Sequence, residues 1–384
     1  MSTRSGLLPA GIAWLVFLLF VGTRIASAQI PLFPACDTPP PGLPPLVQYN
    51  ICEIVIQQTT YVTTTTPPCD LECAKERAYT EPDVKAVFTH QSDGKTRTVH
   101  AFYEVDSTSQ IVFRVRFNMS EPGNWSYQIN CTLQSDPTGN ATCPVTGPPK
   151  SFTVQAAVQG SNNRGFLRRD APSRPGRFVY DDNFHPFVWG QTYYQIISNN
   201  VSGGGWQLAV RNSRDNGLNK VRMLLYPWWD YAPYGDTQPF IGAMAAPNHN
   251  RLNLTHWQKF DEIVNYLYGM NDLEGSRMLA EIILFKDPAT GDHNRTFGTE
   301  PQDDRYLKYA VARFGAFPNV MWCFSNEWQF TGKDKTYWDN RAVTLLGWDP
   351  WMFNGARQRA TSTRRTRRRF RSPRAHGPLM TFCR

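Results

Sequence analysis

The chain has 384 residues, a formal net charge of +8 and eight cysteines. This length allows two or three domains. The charge does not indicate a nucleic-acid partner, because ten arginines lie after Asp349 with no acid among them and the rest of the mature chain is mildly acidic.

Residues 1–28 predict a secretory signal peptide. Arg4 precedes an apolar run from Leu7 to Gly22, and Ala26-Ser27-Ala28 offers a cleavage site of small residues. An uncleaved membrane anchor is the alternative, although the run is short for a span. No later segment is apolar enough to be a transmembrane segment, so we expect a secreted, extracellular protein.

Residues 29–72 are rich in Pro and Thr and predict an extended lead segment held by disulfides. The disulfide candidates are Cys36, Cys52, Cys69, Cys73, Cys131 and Cys143. Cys131 with Cys143 is the easiest local pair, and the pairing of the other four stays open. A metal site at Cys69-x-x-x-Cys73 lacks histidines at ligand spacing, so no metal is expected.

Seven Asn-x-Ser/Thr sequons predict a glycoprotein, provided that they lie on surface loops. They begin at Asn118, Asn124, Asn130, Asn140, Asn200, Asn253 and Asn294.

Residues 73–155 predict an all-β domain. Apolar and polar residues alternate over short segments, as at 84–88 and 111–117, and Asp-Gly, Pro-Gly and Thr-Gly turns separate them. This pattern is typical of an immunoglobulin-like sandwich, which could bind sugar or brace its neighbour. Residues 156–175 then form a polar linker.

Residues 176–351 predict four βα units. The predicted strands cover 187–190, 221–226, 277–285 and 320–324, and the helices lie near 206–214, from 255, 303–315 and 338–346. Thr255 with Gln258 matches a capping box. Strands that alternate with helices favour a parallel sheet that closes into a barrel, here a partial (β/α)8 barrel.

The carboxyl ends of the predicted strands carry polar and aromatic residues that would share one barrel mouth. The candidates there are Tyr193, Trp228, Trp229, Asp230, Asn326 and Glu327. Aromatic rings with carboxylates and amides suit a sugar, whose C–H faces stack on rings. The alternative is that the tryptophans only pack between loops and barrel.

Several segments together resemble apiosidase-like glycoside hydrolases over about residues 83–351. They are GFLRRD, FVYDDNFHPFVWG, NKVRMLLYPWWD, EIILF and DRYLKYAVARFGAFPNVMWCFSNEW. The resemblance implies a sandwich before a clan A type (β/α)8 barrel, with no metal or organic cofactor.

The resemblance also implies roles for individual residues. Glu327 would be the general acid/base, Asn326 would hydrogen-bond the 2-hydroxyl of the sugar, and Arg222 would support the nucleophile. Trp228, Trp229 and Asp230 would shape the sugar subsite.

Two features depart from the family pattern. Lys286 stands where relatives commonly have a histidine, and no apolar strand follows Trp351. A retaining glycosidase needs a second carboxylate, which the resemblance would place on a seventh strand. Residues 352–384 instead predict an Arg-rich disordered tail, so the chain resembles a C-terminally truncated family member.

The sequence therefore predicts a secreted glycoside hydrolase-like protein that acts on plant or microbial wall polysaccharide, inactive or nearly so because the second carboxylate is missing. The alternatives are a non-catalytic carbohydrate-binding protein and attachment to polyanions through the basic tail. A polysaccharide or oligosaccharide is the expected partner, without nucleic acid.

Overall fold

The computed structural model describes residues 33–37, 45–57, 70–133, 148–158, 161–170, 177–194, 196–197, 205–226, 238–243, 246–286, 297–351 and 380–381. Several predicted features lie outside these ranges: the signal peptide, most of the Arg-rich tail, Cys69, Cys143, Asn140, Asn200, Asn294 and Trp228–Asp230. Among the described helices, none is long and apolar enough to span a membrane.

The described N-terminal part consists mainly of two antiparallel sheets. Its strands are β1 (Ile51–Gln57), β2 (Pro82–His90), β3 (Thr96–His100), β4 (Phe102–Val105), β5 (Ile111–Asn118), β6 (Gly123–Leu133) and β7 (Lys150–Val154). One sheet has the order β1-β5-β4 and the other β3-β2-β6-β7. Phe88 of β2 stacks on Phe117 of β5 with ring centroids 3.8 Å apart, so apolar faces of the two sheets are in contact. The immunoglobulin-like assignment stays a prediction.

The segment expected to be an extended lead contributes regular structure. Strand β1 pairs with β5 over all seven of its residues. Helix α1 (Leu71–Thr80) follows, and the side chain of Asp70 caps it by accepting the Cys73 N–H at 2.8 Å. Strand β1 was not predicted because its apolar run ICEIVI lies within a segment that is otherwise rich in Pro and Thr.

The cysteines partly follow the prediction. Cys36 and Cys52 form a disulfide, and both residues are fully buried. Cys73 and Cys131 are also disulfide-bonded. Cys323 is disulfide-bonded as well, although the sequence analysis treated it as part of a buried strand.

The C-terminal part is a mainly parallel sheet with helices between its strands. The strands are β8 (Leu167–Arg169), β9 (Phe178–Tyr180), β10 (Gly190–Thr192), β11 (Lys220–Leu224), β12 (Phe240–Ala243), β13 (Ala246–Leu252), β14 (Leu279–Phe285), β15 (Val320–Ser325) and β16 (Met380–Thr381). The helices are α2 (Gly205–Asp215), α3 (Leu254–Gly269), α4 (Glu300–Phe314) and α5 (Lys335–Trp348). The sheet has the order β10-β11-β14-β15-β16, and all of its pairs are parallel. Its membership of a partial barrel stays a prediction.

Four local features differ from the sequence expectations. Strand β16 pairs in parallel with β15, although residues 352–384 were predicted to be a disordered tail without a strand. Strand β10 begins at Gly190, where the first predicted strand ends. The pairs β8–β9 and β12–β13 lie in segments expected to be linker or loop. Helix α3 is capped by Asn253 and not by Thr255, because the Asn253 side chain accepts the His256 N–H. A capping-box match therefore placed the helix start two residues late.

Two predicted glycosylation sites are wrong because their side chains are used inside the fold. Asn118 is fully buried, and its Nδ2 donates to the carbonyls of Tyr49 at 3.1 Å and Ala316 at 2.9 Å. Asn253 is 6% exposed and caps α3. Asn124 is exposed and Asn130 is half-buried on β6, which is compatible with the prediction at those positions.

A buried group of charges joins the N-terminal sheets to the helices of the C-terminal part. We call it the interface cluster; its members are Glu53, Glu104, Arg114, Arg116, Asp261 and Arg313. Arg116 of β5 donates to both carboxylate oxygens of Asp261 on α3, at 2.6 and 3.0 Å. Strand β5 is consequently buried on both faces, whereas its alternating sequence indicated one exposed face.

Candidate active site

The carboxyl ends of four parallel strands, β10, β11, β14 and β15, lie at one edge of the C-terminal sheet. Asn326 and Glu327 come directly after β15, whose six residues are all buried. The two polar residues that follow the buried run VMWCFS therefore lie at the carboxyl ends of the strands, where parallel α/β sheets have their active sites.

Three hydrogen bonds hold the backbone N–H and the side chain of Asn326. Its N–H donates to the Phe285 carbonyl at 3.1 Å. Its Oδ1 accepts from the Tyr194 hydroxyl and from Arg222 Nη2, each at 3.1 Å. Because both donors lie on the Oδ1 side, the amide NH2 of Asn326 is directed away from them. The side chain thus offers two N–H donors in a fixed orientation.

Arg222 belongs to a line of charges on two neighbouring strands. It is paired in register with Glu281 across β11 and β14. Its Nε lies 3.6 Å from Glu281 Oε1, and Lys220 Nζ forms an ion pair with the other oxygen of Glu281. Glu281 is only 2% exposed, so this carboxylate is shielded from solvent and balanced by two cations. We call Tyr194, Lys220, Arg222, Glu281 and Asn326 the site cluster.

Glu327 differs from every acid in these clusters. It adopts the left-handed backbone region, with φ 47° and ψ 49°, which is uncommon for a residue with a side chain. It is half-buried, and no described residue forms a hydrogen bond or ion pair with its carboxylate. Backbone strain of this kind often occurs at functional sites. A half-buried glutamate without a described partner, directly after an amide in a fixed orientation, fits a proton donor and a substrate-orienting group.

Tyr193 is not part of the site cluster, contrary to the prediction. Its hydroxyl lies 2.7 Å from Ser213 Oγ and donates to Gln191 Oε1 at 2.8 Å, on the side of helix α2. Successive residues of an extended chain point to opposite faces, so Tyr194 points to the opposite side and contacts Asn326 instead. Thr192 pairs in register with Arg222, so counting in steps of two from Thr192 would have selected Tyr194.

Of the other residues that the sequence singled out, three are not described by the structure and one, Lys286, is buried. Trp228, Trp229 and Asp230 lie outside the described residues. Lys286, which stands where relatives commonly have a histidine, is 2% exposed, and its Nζ lies 5.7 Å from the ring centroid of Tyr226.

Among the described residues, one cluster has the composition of a metal site, and it lies in the N-terminal part. It consists of His90, Asp93 and Glu121. Lys95 Nζ lies 2.7 Å from Asp93, and Arg97 Nη2 lies 2.7 Å from Glu121. Because these cations already neutralise both carboxylates, the cluster does not indicate a bound metal.

Comparisons with known proteins place this geometry in a family. The family model described as "Apiosidase-like, catalytic domain" matches residues 173–371, which is just over half of the chain. The chain belongs to the apiosidase-like family. A second model, "Domain of unknown function (DUF5060)", matches residues 67–132 of this apiosidase-like protein. A search of curated proteins finds no match.

One solved structure supports the fold of this apiosidase-like chain. The crystal structure of a protein from Bacteroides vulgatus ATCC 8482, described as a candidate glycoside hydrolase, aligns with a TM-score of 0.60 and 22% identity. The alignment covers 80% of this chain and 55% of that one, so the chain spans just over half the length of its structural relative. A glycoside hydrolase family 5 protein from the same organism aligns with a TM-score of 0.34 and 15% identity, over 49% of this chain and 38% of its own.

Proposed function

We propose that the chain is a secreted glycoside hydrolase-like protein that acts on O-glycosidic bonds of plant or microbial wall polysaccharide, with Glu327 as general acid/base. The observation that carries the proposal is that half-buried Glu327 directly follows Asn326, whose amide orientation Tyr194 and Arg222 fix. Family membership supports the same class of reaction.

Glu327 and Asn326 have distinct roles in the proposed reaction. Protonated Glu327 gives its proton to the glycosidic oxygen as a nucleophile bonds to C1 and the C1–O bond breaks, and its carboxylate then removes a proton from the water that displaces this nucleophile from C1. The Asn326 NH2 donates to a sugar hydroxyl oxygen and orients the ring. Arg222 contacts Glu281 and Asn326, and in this proposal its charge would also support an anionic nucleophile.

The second carboxylate of a retaining hydrolase lies about 5–5.5 Å from the first. Glu281 is not a good candidate for it, because it is 2% exposed and paired with Lys220 and Arg222. We therefore propose that the chain alone releases sugar slowly or not at all. The burial and pairing of Glu281 also favour a second candidate function, which is carbohydrate binding without catalysis.

An external nucleophile separates the two functions. Azide can attack C1 in place of a carboxylate nucleophile, forming a glycosyl azide while Glu327 protonates the departing oxygen. The secreted chain is incubated with a panel of aryl glycosides and wall oligosaccharides, with and without azide, and released sugar and glycosyl azide are measured. We expect azide-dependent release that Glu327→Gln lowers by about 10²-fold or more, within the range of general acid catalysis.

Two comparisons sharpen this assay. Glu327→Gln should affect glycosides with basic leaving groups more than dinitrophenyl glycosides, which leave without a proton. Glu262→Gln, an exposed carboxylate on α3, is the matched control and should not change release. Equal release by Glu327→Gln and the native chain would remove Glu327 from the mechanism. Saturable oligosaccharide binding without any azide-dependent release would favour the binding function.

A further inference from the structure

The proposed chemistry makes no direct use of one buried carboxylate, Glu281. It lies on β14 with 2% of its surface exposed, between Lys220 and Arg222. Removing a carboxylate from water costs several kcal/mol, and apolar residues of similar size often serve stability equally well. A buried ion group at this position therefore calls for an explanation beyond stability.

The contacts of Arg222 suggest what Glu281 does. The guanidinium is planar and rigid, so fixing one of its edges fixes the direction of the others. Glu281 Oε1 lies 3.6 Å from Nε, while Nη1 reaches the Tyr194 hydroxyl at 3.3 Å and Nη2 reaches Asn326 Oδ1 at 3.1 Å. Glu281 thus faces the Nε edge of the Arg222 guanidinium, and the two Nη groups contact Tyr194 and Asn326.

We propose that Glu281 is a positioning residue: through Arg222 it sets the orientation of the Asn326 amide, and so the group that the site presents to its sugar. Asn326 is 4% exposed, and with Oδ1 occupied by two donors its side chain has only N–H groups left for a ligand. The recognised substrate atom is then an acceptor, such as a hydroxyl or ring oxygen. Lys220 forms an ion pair with the other carboxylate oxygen of Glu281.

The proposal rests on the proposed function for its biological meaning, but its test does not need catalysis. The side-chain NH2 of Asn326 is observed by NMR in the 15N-labelled full chain and assigned by its loss in Asn326→Ser. In Glu281→Gln, we expect a chemical-shift change of the Asn326 NH2 protons and at least tenfold faster hydrogen exchange. Arg222→Lys, which keeps the charge but loses the fork, should reproduce this change.

Glu53→Gln is the matched control for a purely structural effect. Glu53 is also a buried strand glutamate between two cations, Arg114 and Arg116. We expect both Glu→Gln variants to lose stability and only Glu281→Gln to disturb the Asn326 signals. Unchanged Asn326 signals in Glu281→Gln, or equal changes in Glu53→Gln, would overturn the proposal.

Two further measurements keep the test decisive. If Glu281→Gln does not fold, Arg222→Lys and Glu281→Asp are compared in its place, and normal Asn326 signals in both contradict the positioning role. In the azide assay, Glu281→Gln should lower sugar release about tenfold, with partial recovery in Glu281→Asp. If the native chain shows no azide-dependent sugar release but Glu281→Gln still changes the Asn326 NMR signals, the proposed function is rejected and the positioning role is retained.

Discussion

The interface cluster and the site cluster both hold arginine against buried carboxylate, but they are built for opposite purposes. In the interface cluster, three arginines face three carboxylates, and Arg116, Arg313, Glu104 and Asp261 are fully buried. In the site cluster, contacts run from Lys220 through Glu281 and Arg222 to Asn326. Glu327 is the next residue in the chain, and its carboxylate has no hydrogen-bond or ion-pair partner among the described residues. Carboxylates that are all paired with arginines hold two parts of a protein together. A carboxylate without a protein partner can instead interact with a ligand.

The interface cluster also shows how burial and pairing oppose each other. Burial by itself would raise the pKa of Asp261, but Arg116 and Arg313 together lower that pKa below its ordinary value. Burial raises the pKa of Glu104, against the attraction of Arg313. Asp261 therefore stays ionised because two arginines, one from each part of the chain, contact it. This carboxylate is the central link between β5 and helices α3 and α4.

The largest effect that tests the comparison is expected for Asp261→Asn. The variant keeps the shape of the side chain but leaves Arg116 and Arg313 without their shared anion. Breaking a buried ion pair from one side costs about 3–5 kcal/mol. Urea unfolding should show this loss of unfolding free energy.

The control for Asp261→Asn is Asp339→Asn, which breaks the exposed Lys335–Asp339 pair on α5. Exposed pairs contribute about 0–1 kcal/mol. If the two variants lose similar stability, the interface cluster is not the link between the parts. If urea unfolding of the native chain resolves two separate transitions, the N-terminal sheets do not brace the C-terminal part.

A smaller effect is expected at Asp303, which is buried and forms no ion pair among the described residues. Burial raises the pKa of Asp303 from 3.8 to about 6, against hydrogen bonds from the Tyr337 hydroxyl and the Gly298 N–H. Below pH 3.8 the carboxyl is protonated in the folded and unfolded chains. Between pH 3.8 and about 6, only the unfolded chain loses the proton, so the folded state loses stability as pH rises.

The measurement compares the native chain with Asp303→Asn. A pKa difference of about two units corresponds to roughly 3 kcal/mol. Relative to the variant, the native chain should therefore lose roughly 3 kcal/mol of unfolding free energy as pH rises through this window. A difference between the two proteins that does not change with pH would show that Asp303 titrates normally.

Much of the C-terminal architecture could be predicted because its strands carry nearly continuous apolar runs. β11, β14 and β15 lie where those runs indicated, and Asn326 and Glu327 follow β15 as expected. The local signals that failed were outweighed by tertiary contacts. Asn253 looks like a glycosylation site, but it serves as a helix cap because α3 starts there.

The site cluster could be predicted only in part, because it depends on pairing between strands. Arg222, Asn326 and Glu327 stand out from their own segments, whereas Glu281 looks like one polar residue in the run LAEIILF. Its importance follows from the register that places it opposite Arg222. The interface cluster was missed for the same reason, since Arg116 and Asp261 are 145 residues apart in the chain.

The smallest effect is expected at Tyr194 of the site cluster. The neighbouring residue Tyr193, which lies outside the site cluster, provides the control. Tyr194→Phe removes the hydroxyl that lies 3.1 Å from Asn326 Oδ1, and Tyr193→Phe removes the one that lies 2.7 Å from Ser213 Oγ. Each hydroxyl contributes about 1 kcal/mol to stability, so urea unfolding should show similar losses for both variants. Only Tyr194→Phe should also change the Asn326 NH2 signals, because only that hydroxyl helps to hold Oδ1. An equal response of those signals to both variants would mean that the Asn326 amide reports the general stability of this sheet edge, and the site cluster would then be structural like the interface cluster.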